Sequence, residues 1–190
     1  KFFFFFLGAK EFLNGENRWC LWLEDIKPNE LRDLKEVSNR VERVKEYRIN
    51  STREATRKLA AYPNLFGEIR QPKSKYILIP RVSSEHRRFI PMAFFPSDFI
   101  AGDTCVIVPN ASLFLFGVLS STMHNAWMRQ VCGRLKSDYR YSNKLVYNNF
   151  PFPENASEKQ IKLVEEKAQS VLDVRREFPD SSLADLYDPI

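Results

Sequence analysis

The chain has 190 residues, of which 44% are hydrophobic and 14% aromatic, so it can bury the core of one domain, with or without a small appendage. Its 16 phenylalanines against six glycines favour a folded interior over disorder, because aromatic side chains bury large areas. The formal charge of +5 and pI of about 9.1 suit a phosphate-bearing partner but do not identify one.

The cysteines and the apolar N-terminus bear on cellular location. Cys20, Cys105 and Cys132 are widely spaced and form no CxxC pair, which argues against a disulfide framework or a zinc site. We therefore expect buried thiols in a cytoplasmic protein. The phenylalanine run at residues 2–6 is too short for a signal sequence or a membrane span, so we expect no membrane partner. We also expect that the chain begins inside a longer protein.

The first quarter of the chain predicts one strand and two helices. The aromatic segment 18–23 is typical of a buried strand, and Asn14-Gly15 before it predicts a hairpin over residues 12–23. Pro28 suits the first turn of an amphipathic helix that would run to about Arg48. A second helix is predicted to begin at Ser51 or Thr52, with Ser51 and Glu54 as a capping box, and to end before residue 63.

The remainder alternates between strand and helix patterns. Short apolar runs at 75–80, 88–95 and 104–108 predict strands. Helical spacing returns from residue 113 to about 135, in a stripe of Leu119, Met123, Trp127, Val131 and Leu135. A tyrosine- and asparagine-rich loop follows, and a last helix begins at Ser157, with an inner face of Ile161, Val164, Ala168, Val171 and Leu172. These patterns predict an α+β fold: a mixed sheet of short strands with flanking helices and a C-terminal helix.

Motifs that carry catalysis are absent from the sequence. It contains no GxGxxG loop, no Pro-Pro dipeptide of a base-holding loop, no P-loop and no HExxH pair. His86 and His124 are far apart, and no nucleophile elbow supports a Ser–His–Asp site. We therefore expect no catalytic residue, no metal and no bound cofactor on this chain.

Four basic segments instead combine Arg or Lys with hydrogen-bonding or aromatic neighbours, the residue types that bind phosphates and base edges. The first lies on the second predicted helix, and the second is the loop before the strand at 75–80. A plain solvated surface would explain both segments equally well. Their candidate DNA contacts are Arg53, Arg57, Lys58, Arg70, Lys73 and Lys75.

The third segment, residues 80–88, joins two predicted strands, so its side chains are expected at a loop tip on a rigid scaffold. Its arginines can donate to guanine or phosphate, and its glutamate can accept from cytosine N4. A structural turn with surface charges is the alternative. The candidate contacts are Arg81, Ser83, Ser84, Glu85, His86, Arg87 and Arg88.

The fourth segment, residues 134–143, offers arginine and tyrosine for stacking and neutral amide and hydroxyl groups for hydrogen bonds. Its tyrosines would equally suit a core or a domain interface. The candidate contacts are Arg134, Arg140, Tyr141, Ser142 and Asn143.

Ordered motifs cover nearly the whole chain: GAKEF (8–12), RWCLWL (18–23), LFGEIRQP (65–72), IPRVSSE (79–85), FGVL (116–119), MHNAW (123–127), VCGRL (131–135), YRYSN (139–143), YNNFP (147–151) and LYDP (186–189). In this order they resemble the recognition and C-terminal regions of the MmeI-like family of restriction–modification enzymes. The run at residues 2–6 has no place in the resemblance and could be the altered tail of a preceding domain.

The resemblance implies sequence-specific recognition of double-stranded DNA within a bacterial adenine-N6 DNA methyltransferase. The catalytic residues and the S-adenosylmethionine site would lie upstream, in a methyltransferase domain of the same polypeptide. We accordingly divide the chain into a junction with that domain and a first hairpin (1–24), a target recognition domain (25–153) and a C-terminal helical segment (154–190). The rival hypotheses are a non-catalytic protein–protein scaffolding module of a large nucleic-acid enzyme and a hydrolase of unknown motif.

Overall fold

The computed structural model describes residues 1–189 and has an α+β fold with a C-terminal helix, as the sequence predicts. The chain divides into two compact units. The first unit consists of residues 1–4 and 20–71, and the second contains residues 5–19 and the chain from residue 72 onward. The predicted segment boundaries at residues 24 and 153 stay predictions.

The first unit is mainly helical, and Pro28 opens its first helix as predicted. The prediction of a single helix to Arg48 is wrong. Leu34 has φ −92° and ψ 75°, outside the helical region, and divides the predicted helix in two. The predicted capping box at Ser51 is also wrong: Ser51 Oγ accepts a hydrogen bond from the Arg53 N–H at 3.2 Å, and no side chain caps the next helix. The helices are α2 (Pro28–Asp33), α3 (Lys35–Ile49) and α4 (Glu54–Lys58), followed by a 3₁₀ turn (Leu59–Ala61).

One arginine ties the end of the first unit to α3. The Arg48 guanidinium donates to the backbone carbonyls of Leu59, Tyr62 and Leu65 at 3.0, 2.8 and 2.8 Å. Nearby, the Trp22 and Phe66 rings lie 5.2 Å apart. These contacts satisfy carbonyls in a segment that has little regular structure of its own.

The strands are short and form three three-stranded sheets, with the orders β2-β1-β6, β5-β3-β7 and β4-β9-β8. The β1–β6 pair is parallel, with Phe5 opposite Phe99, and the pairs of β3, β5 and β7 and of β4, β8 and β9 are antiparallel. The strands are β1 (Phe3–Leu7), β2 (Trp19–Leu21), β3 (Tyr76–Pro80), β4 (Val82–Ser83), β5 (Ala93–Phe95), β6 (Phe99–Ala101), β7 (Cys105–Pro109), β8 (Gly133–Leu135) and β9 (Asp138–Arg140).

The N-terminal region differs from the predicted hairpin. Phe12 lies in a helix, α1 (Ala9–Asn14), and Gly15 ends this helix with φ +66°, donating its N–H to the Glu11 carbonyl. The strand predicted at 18–23 is present as the shorter β2. The phenylalanine run forms β1, and the Phe5 ring stacks on Phe99 with 5.0 Å between centroids. This run is therefore part of a sheet in the fold.

In the middle of the chain, the strands predicted at 75–80 and 104–108 are confirmed as β3 and β7, and every residue of β3 is buried. The run at 88–95 forms a strand only in its last residues. The helix predicted over 113–135 is wrong in extent. Ser121 ends α5 (Leu113–Ser120) and caps α6 (Thr122–Val131), and the chain then enters β8. Met123 and Leu135, placed on its inner stripe, are 64% and 53% exposed.

The C-terminal helix α7 (Glu158–Arg176) begins as predicted, with a capping box between Ser157 and Gln160. Ala168 is buried on its inner face, whereas Val171, assigned to the same face, is 37% exposed. A short helix, α8 (Leu183–Tyr187), follows. Helix α7 packs closely on α5 at Gly117, where an added Cβ would lie 2.6 Å from Val164 Cγ1 and 3.2 Å from its carbonyl oxygen.

Helix α6 carries buried polar side chains that hold the chain around it. His124 Nε2 lies 3.0 Å from Tyr141 Oη, and both residues are 1% exposed. Asn125 Oδ1 accepts from the Ile90 N–H at 2.9 Å, while its amide donates to the Ser121 carbonyl at 2.9 Å. Trp127 Nε1 donates to the Val146 carbonyl at 3.0 Å. The helix thus fixes three separate segments of the second unit.

We expect Gly117→Val to destabilise the protein by about 1–3 kcal/mol, because the added side chain must separate α5 from α7. Urea unfolding with matched slopes would measure the loss. Gly133→Val is the control: a Cβ there meets only Arg140 Cβ, at 4.0 Å, and a β-branched residue suits a strand. Equal stability of the two variants would contradict the close packing at Gly117.

A second prediction concerns pH. Burial lowers the pKa of His124 to about 4, from an ordinary value of 6.5. Between these two pKa values, His124 binds a proton in the unfolded chain but not in the folded protein. The contribution of neutral His124 to the free energy of unfolding is therefore complete above pH 6.5 and decreases as the pH falls towards 4. The expected loss is about 3 kcal/mol at most.

The measurement is the unfolding free energy from urea titrations between pH 7 and 4.5. His124→Gln should lose less stability over this range than the wild type, although it starts lower because Tyr141 loses its partner. His86→Gln, at the exposed second histidine, should follow the wild-type curve. Parallel curves for the wild type and His124→Gln would show that His124 does not titrate in this way.

Candidate nucleic-acid interface

The sheet β4-β9-β8 joins two of the four basic segments predicted from the sequence. Val82 pairs with Arg140, and Ser83 pairs with Tyr139, so the third segment runs beside the fourth. Tyr139 also pairs with Arg134 across the β8–β9 hairpin. Residues separated by more than 50 positions in the chain therefore share one small antiparallel sheet.

The loop at residues 84–89, which follows β4, is fixed at both ends. Just before β4, the Arg81 N–H donates to the Thr104 carbonyl at 2.9 Å, and Arg81 Nε donates to the Asp103 carbonyl at 2.7 Å. At its far end, the Arg88 carbonyl accepts a hydrogen bond from the Arg129 guanidinium. Asn125 holds the next buried residue, Ile90. These hydrogen bonds hold the loop to its neighbours, but the predicted loop is shorter than expected, because Val82 and Ser83 form β4.

Glu85, His86 and Arg88 are exposed at this loop, and Ser84 is half-buried. The Glu85 N–H donates to Asp138 Oδ1 at 3.4 Å, and its carboxylate lies 3.9 Å from Arg134 Nη1. Both charges of this ion pair are well exposed, so it adds little stability and leaves the groups available to a ligand. The loop therefore presents hydrogen-bond donors and acceptors side by side.

The β8–β9 hairpin projects further basic groups. Arg134 lies 4.0 Å over the Tyr139 ring and donates to the Ser137 carbonyl at 2.7 Å. Lys136 is exposed at the turn and has φ +56°, a conformation uncommon for residues other than glycine. Arg140 is exposed one strand position beyond Tyr139. Lys136 lies within the fourth basic segment but is not among the candidate contacts predicted for it.

Two predicted contacts lie inside the protein. Ser83 is 2% exposed, and Tyr141 is 1% exposed with its hydroxyl against His124. Burial raises the pKa of the Tyr141 hydroxyl. We therefore assign both side chains to the framework rather than to a DNA-contacting surface, which was the open alternative for the tyrosines of the fourth segment.

Ser142 and Asn143 also have local structural roles. Ser142 Oγ accepts from the Leu145 N–H at 3.4 Å and begins a π-helical turn over Asn143–Tyr147, where the sequence predicted a loop. The Asn143 carbonyl accepts from the Asn148 N–H at 2.8 Å. The Asn143 side chain is exposed, whereas Ser142 is half-buried.

The other predicted contacts are not on this sheet. Arg57 donates to the Ser51 and Thr52 carbonyls at 2.9 and 3.0 Å, and Lys58 pairs with Glu54 at 2.8 Å. Arg70 pairs with Glu68 at 2.8 Å, and Arg53 is exposed at the start of α4. These four residues belong to the first unit. In the second unit, Lys73 and Lys75 lie at the end of β3 opposite Arg81, and Lys75 Nζ is 4.0 Å from the Phe94 ring centre.

Among residues 1–189, no group of three or more His, Cys, Asp or Glu side chains could hold a metal ion. No helix within the same residues is long and apolar enough to cross a membrane. What the second unit does display is a surface of exposed arginine, lysine and glutamate on a sheet fixed by α6. We call this surface the recognition sheet; it consists of β4, β8, β9 and the loop 84–89.

Comparison with known proteins shows similarity along nearly the whole chain. DNA methyltransferase A of Bacillus subtilis (strain 168) is 39% identical over 184 residues, which cover 97% of this chain and 21% of that protein. The solved structure of the Type IIL restriction–modification enzyme MmeI in complex with DNA is 46% identical with a TM-score of 0.95, over 99% of this chain and 25% of that one. The chain thus spans about a fifth to a quarter of the relatives it matches.

Family comparison divides the chain at one point. Residues 1–154 match the family described as MmeI, target recognition domain, and residues 156–190 match the family described as MmeI, C-terminal domain. The first match includes the phenylalanine run of β1. The resemblance stated from the sequence is confirmed: the chain belongs to the MmeI target recognition domain family and continues into the MmeI C-terminal domain.

Proposed function

We propose that the chain recognises a specific double-stranded DNA sequence, as the target recognition domain of a bacterial restriction–modification enzyme that methylates adenine N6. The observation that carries this proposal is the recognition sheet, where two basic segments distant in sequence meet on one rigid frame. A solved relative with 46% identity is bound to DNA, which adds support.

The exposed side chains of the recognition sheet suit two kinds of contact with DNA. Lys136 at the hairpin turn and the guanidinium groups of Arg88 and Arg140 can bind phosphates, which supply affinity without sequence information. Glu85 can accept from an exocyclic amine such as cytosine N4, and arginine can donate to guanine. A surface with both signs of charge discriminates between base edges better than a purely basic surface, which would bind every sequence alike.

The wider context is also a proposal. The methyltransferase domain, with its S-adenosylmethionine site and its catalytic residues, would lie upstream in the same cytoplasmic polypeptide and extract the target adenine from the stack. The chain would contribute DNA register and sequence choice, and no chemical step. This division of labour agrees with the share of each relative that the chain covers.

The basic residues of the first unit, Arg53, Arg57, Lys58 and Arg70, remain candidates for phosphate contacts under this proposal. Three of them are already engaged with local carbonyls or carboxylates. We therefore rank them below the recognition sheet.

We expect Lys136→Ala in the full-length protein to weaken binding to specific and unrelated duplexes by the same factor. The slope of log K against log salt should become shallower by about 0.9, because one phosphate contact is lost. Lys167→Ala, at an exposed lysine on α7, is the control and should change neither quantity. Salt-independent or absent DNA binding by the wild type would favour the scaffolding hypothesis.

We expect Glu85→Ala to act differently, relaxing the preference at one base pair at a cost of about 1–3 kcal/mol in discrimination while leaving the salt slope unchanged. Selection of bound duplexes from a randomised pool would show the change. Glu166→Ala, at an exposed glutamate on α7, should retain the wild-type preference. An unaltered preference in Glu85→Ala would remove Glu85 from the base-recognising set.

A further inference from the structure

Arg87, in the loop of the recognition sheet, is held by a carboxylate from the other end of the second unit. Its Nε donates to Asp188 Oδ1 at 2.5 Å, and its Nη2 donates to Asp188 Oδ2 at 3.1 Å. Asp188 lies immediately after α8, within the part of the chain that matches the C-terminal domain family. The Arg87 side chain is 9% exposed, against 45% for Asp188. The pair therefore links the two family segments at the candidate interface.

The geometry of the pair leaves one edge of the guanidinium open. Arginine has five N–H donors in a planar fork, and the bidentate contact through Nε and Nη2 uses two of them. Asp188 does not engage Nη1 or the second hydrogen of Nη2, and no other residue among 1–189 accepts a hydrogen bond from Nη1. The open edge, Nη1 with the second hydrogen of Nη2, is the edge that can donate to guanine O6 and N7 together.

Asp188 itself stands on a well-anchored support. Its N–H donates to the Ala184 carbonyl at 2.8 Å, and Ser182 and Asp185 form a capping box at the start of α8. Arg175 on α7 hydrogen-bonds the Tyr187 hydroxyl and donates to the Met92 carbonyl at 2.7 Å. The carboxylate is thus positioned by helices α7 and α8.

We propose that Asp188 is a positioning residue for base recognition: it fixes the orientation of the Arg87 guanidinium, so that the C-terminal segment takes part in sequence specificity. This inference rests on the proposed function. An arginine with freely rotating terminal bonds must be ordered when it binds a base, whereas one held along its side edge loses less side-chain entropy on binding. A purely structural ion pair between the same two segments is the competing explanation.

The first test is Asp188→Asn in the full-length protein, compared with Asp180→Asn, which removes an exposed carboxylate of the same segment and so changes the charge equally. We expect Asp188→Asn to lower the discrimination at one base pair about tenfold or more, at the same base pair that Arg87→Ala affects. The salt slope should match that of Asp180→Asn. Wild-type discrimination in Asp188→Asn would overturn the inference.

The second test is the exchanged pair Arg87→Asp with Asp188→Arg, which separates positioning from stability. We expect the exchanged pair to restore the thermal midpoint that Asp188→Asn lowers, because the ion pair is rebuilt. The wild-type base preference should stay lost, because the guanidinium now lies on the C-terminal segment. Return of the wild-type base preference would show that the ion pair has only a structural role. This result would overturn the inference about Asp188 but not the proposed function. A wild-type protein without any base preference would overturn the proposed function as well.

Discussion

Burying a polar group without a hydrogen-bond partner costs free energy, and hydrogen bonds from buried side chains of α6 hold the second unit together. Three buried or half-buried polar side chains of this helix have partners in three different segments: His124 contacts Tyr141, Asn125 contacts Ile90, and Trp127 contacts Val146. Tyr141 and Ile90 come directly after β9 and the loop 84–89, and Val146 lies within the π-helical turn. Because hydrogen bonds are directional, these contacts hold the recognition sheet in one arrangement. Apolar packing alone would restrict that arrangement less.

The elements predicted well from the sequence are those whose signals are local. The Ser157 capping box and the continuous apolar runs of β3 and β7 leave few alternatives. Other signals have two structural meanings. Asn-Gly ends helices as readily as it makes hairpins, and here Gly15 is a left-handed helix cap. The break at Ser121 was hidden because the apolar spacing continues through it, although a serine N-cap is visible once the break is known.

The candidate site shows a similar limit. Composition pointed to the segments around Arg81–Arg88 and Arg134–Asn143, but their meeting depends on strand pairing across more than 50 residues, which no local pattern encodes. The same non-local packing decides which polar residues face inward, so Ser83 and Tyr141 could not be separated from exposed Glu85 and Arg140. The exposed turn position of Lys136 follows from the β8–β9 hairpin, which the sequence analysis does not predict.

Apart from Arg87, which is largely buried, the buried anchors and the exposed tips of the recognition sheet are different residues. Exposed positions such as Glu85, His86 and Lys136 touch few neighbours, so replacing them alters stability by only about 0.5 kcal/mol in either direction. Under the proposed function, exchange of a base-contacting tip residue such as Glu85 could change the preferred DNA sequence while the scaffold stays folded. Residues that stabilise the fold are thus largely separate from exposed residues that can be replaced. Single substitutions at the exposed positions could therefore change the preferred DNA sequence.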